Sequence, residues 1–228
     1  MKKKVIFGVY LFFVHLAIAV LLIKTDAIPR VLAKAGIVEP AQAYIELRHR
    51  VFQERRDPIV PPGAAVFLGD SITQGFVTSL VEPMSVNFGI GQQTTTQLIQ
   101  SLPGYSSIHD AGAIYLMIGV NDIFLGKEDV LEARYKEILH LLPKDVPLIW
   151  SALMPVANRS GSIQRTNNII KRLCDDRDRC VYVDTFGPLS NENGNPATGT
   201  MLDGVHPSNE GYQVWVNLLS NAKESPSK

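Results

Sequence analysis

The stretch Val66–Phe76, VFLGDSITQGF, joins an apolar run of strand length to an Asp-Ser pair and then to glycine. That order reads as a strand, a turn and the start of a helix. It leaves Ser71 with two roles open. A serine at a helix start is a good cap. The same serine could be a nucleophile, but a hydroxyl is a poor nucleophile unless a base and an orienting group reach it from elsewhere in the chain.

Working outward, the pattern of this stretch recurs. Apolar runs of strand length occupy 64–69, 84–89, 113–119, 146–154 and 180–186. Helix-like segments lie between and after them, at Thr94–Leu102, Lys127–Leu142, Ser162–Cys174 and Ser208–Ala222. In the second of these, Leu131, Tyr135, Ile138 and Leu142 fall on one face. Strands that are apolar on both faces and alternate with helices predict an α/β fold, with a parallel sheet covered on both sides. In such sheets ligands bind beyond the carboxyl ends of the strands.

The chain has 228 residues and is 46% apolar, which suits one domain with an appendage. Its formal net charge is zero, but residues 1–34 carry six basic and one acidic residue, and the remainder sixteen basic and twenty-one acidic. A mildly acidic body gives no footing for nucleic acid. Lys2, Lys3 and Lys4 precede VIFGVYLFFVHLAIAVLLI (5–23), in which no residue carries a formal charge at neutral pH. Its length approaches the roughly 20 residues that cross a bilayer and exceeds the about 7–15 of a signal-peptide core. An uncleaved signal anchor is expected over a cleaved signal peptide. The leading lysines favour a cytoplasmic N-terminus, with the body outside the cytoplasm at the membrane face, or secreted if the segment is cleaved. The expected organisation is therefore an N-terminal anchor (1–23), a linker and amphipathic helix (24–62), a main domain (63–222) and a short tail (223–228). In the helix, 41–57, Tyr44, Ile45 and Phe52 are the expected inward positions, and Pro58, Pro61 and Pro62 stop it. Cys174 and Cys180 flank the polar turn DDRDR; a short-loop disulfide and two reduced thiols both fit that spacing.

The chemistry-bearing residues follow the strands. Asp70-Ser71 comes after the first, Asn87-Phe88-Gly89 ends the second, Asn121-Asp122 comes after the third, and Asp203-Gly204-Val205-His206-Pro207 lies in the long loop after the fifth. A parallel sheet brings all four groups to one edge. Of the five histidines, only His206 has a carboxylate three residues earlier in a glycine-containing turn, where Asp203 could hold its tautomer. The Ser71 N–H, at a helix start, the Gly89 N–H and the Asn121 side-chain amide could stabilise an oxyanion. A glycine at 89 lets backbone approach a substrate.

GDSITQG (69–75), NFG (87–89), GVND (119–122) and DGVHP (203–207), in this order, resemble the four blocks of the SGNH or GDSL-type serine hydrolases, over about residues 63–222. The resemblance implies a three-layer α/β/α, flavodoxin-like fold with a five-stranded sheet, preceded here by the N-terminal hydrophobic helix. It implies Ser71 as nucleophile, His206 as base, Asp203 as its orienter, and Ser71, Gly89 and Asn121 as the oxyanion hole, with no cofactor or metal. The implied activity is esterase or acylhydrolase.

Two other functions compete. Asp70, Asn121, Asp122, Asp203 and His206 could instead gather around a divalent ion. The fold could also carry a non-catalytic polysaccharide-binding protein. For an esterase, the expected envelope location suggests O-acetyl esters of envelope or exported carbohydrate, with a lysophospholipid or other lipid acyl ester as the alternative. Residues 76–84 and the polar, glycine-bearing 187–202 are the expected rims of the site.

Overall fold

The computed structural model describes residues 14–15 and 41–224, with side chains placed for 14–15 and 49–223. The expected anchor, apart from Val14 and His15, lies outside the described residues, as do the linker up to Pro40 and the last four residues. Among the described residues no helix is long and apolar enough to cross a membrane.

The compact unit that carries the sheet begins at His49. It takes in the end of α1 (Ala41–Arg56). Phe52, an expected inward residue, is 48% exposed, whereas Gln53 and Asp57 are buried; the side chains of Tyr44 and Ile45, the other expected inward positions, lie outside the described residues. Asp57 is only 2% exposed and accepts hydrogen bonds from the backbone N–H and the hydroxyl of both Ser106 and Ser107. Burial works against its charge, but these donors outweigh burial and hold its pKa below the ordinary carboxylate value. A depressed carboxylate stabilises the fold above its unfolded pKa, and that contribution is lost as acid protonates it. Asp57→Ala strands four donors and should lower the unfolding free energy by about 2–4 kcal/mol at pH 7, with a smaller loss in acid. An unchanged urea midpoint would show that the latch contributes nothing.

Five strands follow: β1 (Ala65–Gly69), β2 (Ser85–Asn87), β3 (Ala113–Met117), β4 (Leu148–Ser151) and β5 (Cys180–Val183). All neighbours are parallel, in the order β2-β1-β3-β4-β5. This is the flavodoxin-like order, whose reversal point lies between β1 and β3. Each residue of β1 and β4 is buried, so the strands need apolar side chains on both faces, as the near-continuous apolar runs indicated. Every strand ends at or before its expected carboxyl end, because the chain turns early to form the loops described below.

The helices are α2 (Ser71–Gln74), α3 (Thr95–Ser101), α4 (Val120–Phe124), α5 (Leu131–Leu141), α6 (Ser160–Asp175), α7 (Phe186–Leu189) and α8 (Asn209–Glu224). Thr94 starts α3 with a capping box, its hydroxyl accepting from Gln97 N–H while Gln97 reaches back to Thr94 N–H. Leu131, Tyr135, Ile138 and Leu142 are all buried, as their spacing predicts. Tyr135 meets Trp150 of β4 edge-on at 5.3 Å between ring centres. Burying such rings contributes about 1.5–3 kcal/mol each. On α8, Trp215 packs against Phe76 and donates its indole N–H to Ser151 of β4 at 3.1 Å. Cys174 in α6 and Cys180 in β5 are joined by a disulfide across the polar turn.

Candidate active site

The short helix α2 sits on the carboxyl end of β1 and carries Ser71 as its first residue. Its cap is Asp70, whose Oδ1 accepts from Ile72 N–H at 3.0 Å. Ser71 is thus relieved of capping. Its Oγ instead lies 2.9 Å from His206 Nε2. This answers the ambiguity of the serine at the helix start, since the neighbouring aspartate takes the structural role. As the first helical residue, Ser71 has a backbone N–H without an intrahelical acceptor.

His206 Nδ1 lies 2.7 Å from Asp203 Oδ2. Asp203 Oδ1 also accepts from the N–H of His206, at 2.8 Å, and of Val205, at 3.0 Å. The bonds from the His206 backbone and ring pull the Asp203 pKa down to about 2, so its carboxylate is charged at neutral pH. An ionised acceptor at Nδ1 fixes the proton on that nitrogen and leaves Nε2 to accept from the Ser71 hydroxyl. Both side chains are open to solvent, Asp203 at 57% and His206 at 44%.

The loop that presents this pair is itself bonded. Leu202 N–H donates to His206 O at 2.8 Å, and Ser208 N–H donates to Thr200 O at 2.9 Å. Gly204 turns at φ +84°, a backbone that favours glycine, and its carbonyl accepts from Ala157 N–H on the loop after β4. The expected rim 187–202 is a folded element, with an antiparallel bridge between Ser190 and Pro196.

Asn121 lies on α4, after β3. The turn into α4 passes through Gly119 at φ +131°, where a Cβ would also lie 2.2 Å from the Tyr135 hydroxyl. Tyr135 donates that hydroxyl to Ile118 O at 2.9 Å, which pins the strand end. Asn121 Nδ2 donates to Gln93 O at 3.0 Å and has a second hydrogen to offer. The next residue, Asp122, is buried and accepts from Thr95 N–H at 2.9 Å and Thr95 Oγ1 at 2.7 Å, which ties α4 to α3.

At Gly89 a Cβ would lie 2.4 Å from Gln74 N, so glycine there lets the end of β2 pack closely against α2. Its N–H already donates to Asn87 Oδ1 at 2.9 Å, so it can reach an oxyanion only by sharing that bond. Asn87, noted in the sequence without a role of its own, is a positioning residue. Its Nδ2 donates to Thr73 O at 2.7 Å and Phe76 O at 3.0 Å, closing the end of α2. Tyr212 of α8 adds a third hold, donating to Ile72 O at 2.9 Å. Nearby, Gln92 adopts φ +63°, a left-handed backbone uncommon for a residue other than glycine, immediately before the Gln93 that receives Asn121. Neither Asn87 nor Tyr212 gives a local sequence signal, because both act across the fold.

Two carboxylates of the alternative metal cluster are engaged elsewhere. Asp122 is committed to Thr95, and Asp203 to His206 and Val205. Among the described residues no group of three or more His, Cys, Asp or Glu is placed to hold an ion.

Residues 67–214 match the model of the GDSL-like lipase/acylhydrolase family. A multidomain esterase of Ruminococcus flavefaciens is 25% identical over 130 residues, which is 51% of this chain and 16% of that protein, so the chain corresponds to a small part of it. Among solved structures, a GDSL-like lipase from Bacteroides thetaiotaomicron superposes with a TM-score of 0.68 at 20% identity, covering 77% of this chain and 97% of that one. A carbohydrate esterase family 3 protein from Talaromyces cellulolyticus gives 0.57 at 16% identity, covering 72% and 100%. At these identities the two structures speak for the fold.

Proposed function

The chain belongs to the GDSL-like lipase/acylhydrolase family, and on this premise we propose that it is an esterase that cleaves O-acetyl esters of envelope or exported carbohydrate through Ser71, His206 and Asp203. Ser71 Oγ attacks the acetyl carbonyl as its proton passes to His206 Nε2. The carbonyl oxygen becomes an oxyanion beside the Ser71 N–H and the Asn121 amide, with Gly89 N–H joining by sharing its bond to Asn87. Collapse expels the sugar alcohol, which takes the proton from His206. A water then gives its proton to His206 and attacks the acetyl-enzyme, and acetate leaves as Ser71 recovers its hydrogen. Asp203 stays ionised and stabilises the imidazolium formed in each half.

The observation that carries the substrate class is the exposure of the Asp203–His206 pair at the sheet edge. A site this open accepts an ester borne on a bulky, polymeric alcohol, and the adjoining 187–202 is rich in polar residues suited to hydroxyl groups. The carbohydrate esterase among the structural neighbours supports the same direction. The apolar, lysine-led residues 5–23 favour an envelope location. One observation favours a lipid acyl ester instead. Leu202, next to Asp203, is 77% exposed, and Phe124 and Leu125, at the end of the helix that carries Asn121, are exposed too.

A chain-length series of p-nitrophenyl esters beside acetylated saccharides separates the two. The acetyl reading expects kcat/KM to be highest for acetate and to fall with each added pair of carbons. A preference for acyl chains of eight or more carbons would overturn the substrate and leave the serine mechanism standing.

A further inference from the structure

Asp70 has more carboxylate than its place in the fold needs. Capping α2 takes one oxygen, Oδ1, and asparagine, serine or threonine would supply it. The second oxygen, Oδ2, is buried without a hydrogen-bond partner, and the residue as a whole is fully buried. An ionised carboxylate in such a place is costly to the fold. Groups that cost stability beside reacting atoms are commonly kept for function.

Resting on the serine mechanism proposed above, we infer that Asp70 is a positioning residue whose buried negative charge, at the cap of the helix that Ser71 begins, stabilises the His206 imidazolium formed in both halves of the reaction. Asp70 makes no contact with substrate and moves no proton. Its partner in this effect is His206, whose positive charge favours the ionised form of Asp70. The attraction between the two charges acts equally on both. The other titratable groups that face it are Asp122 on α4, which opposes its charge, Tyr135 on α5 and Tyr212 on α8. Burial, more than these neighbours, pushes the Asp70 pKa up to about 7. The charge is therefore absent in mild acid and present in mild base. Asp203, held near 2, cannot supply that pH dependence.

The carboxyl's raised pKa also fixes the sign for stability. The folded protein binds the proton more tightly than the unfolded chain, so ionising Asp70 destabilises the fold progressively as pH rises from about 4 to 7. Asp70→Asn keeps an acceptor for Ile72 N–H and removes the charge. The wild-type to Asp70→Asn ratio of kcat/KM should be near 1 at pH 5 and rise to about tenfold by pH 8.5. The variant's melting temperature at pH 8.5 should be no lower than wild type. A ratio that is the same at every pH would make Asp70 a cap and nothing more, and undiminished activity at pH 8.5 would remove it from the mechanism. Should Asp70→Asn fail to fold, Asp122→Asn provides the second test, since an amide there can still bond Thr95. Removing its charge lowers the pKa of Asp70 and should move the acid limb of the wild-type profile to lower pH. An unmoved limb would overturn the inference. A Ser71→Ala protein with wild-type activity, by contrast, would overturn the underlying serine mechanism.

Discussion

Ser71→Ala is expected to lower turnover of an acetyl ester by a factor of about 10⁴ or more, with the protein still folded. The loss follows from the geometry around one atom. Ser71 Oγ is the group that lies 2.9 Å from His206 Nε2, and alanine leaves the base with nothing to activate. What remains is an oxyanion site and a binding surface, which by themselves retain only a small part of the rate. The fold should survive because the Ser71 hydroxyl does not cap α2. Asp70 caps Ile72 N–H, Asn87 closes the far end of the helix, and Tyr212 holds Ile72 O from α8. The check pairs steady-state kinetics with a thermal melt. A variant that melts like wild type and keeps wild-type turnover would place the nucleophile elsewhere. It would also revive the reading of this domain as a binder.

Asn121→Ala should cost about 100- to 1,000-fold in kcat with little change in KM. The amide at this position meets charge that exists only in the transition state, so its loss should not weaken binding of the neutral ester. The position is prepared in advance. Asp122 anchors the helix through Thr95, Tyr135 holds Ile118 O, and Gln93 O takes one amide hydrogen of Asn121, which leaves a second hydrogen to donate. Because Gly89 N–H already donates to Asn87, the proposed mechanism expects Asn121 and the Ser71 N–H to carry most of the oxyanion stabilisation. A mutant that raises KM and leaves kcat unchanged would assign Asn121 to substrate binding instead.

The parts of this architecture that were legible in the sequence are those written in local periodicity. The apolar runs gave all five strands, and the face shared by Leu131, Tyr135, Ile138 and Leu142 is the buried face of α5. The DGVHP spacing alone is enough to bring Asp203 onto His206, because three residues around a left-handed glycine close a turn. Ser71 meeting His206 required the fold, 135 residues apart in the chain, and was legible only because a parallel sheet collects its loops at one edge. What escaped was long-range and polar. Asp57 reads in the sequence as the last residue of an amphipathic helix, and the donors that bury it, Ser106 and Ser107, lie about fifty residues away. Asn87 looked like a strand residue, although its side chain closes α2 and takes the N–H of Gly89. A side chain bonded to a backbone group far away in sequence leaves no period to read.

The claim that Ser71 is the nucleophile of this esterase is tested most directly by trapping it. Full-length protein is incubated with a serine-reactive alkyl phosphonate, and its mass and peptide map are measured as activity is lost. A single adduct on the peptide that holds Ser71, forming at the rate at which activity disappears and absent from Ser71→Ala, is the expected result. Activity that persists with Ser71 modified, or inactivation with the adduct on another residue, would contradict it.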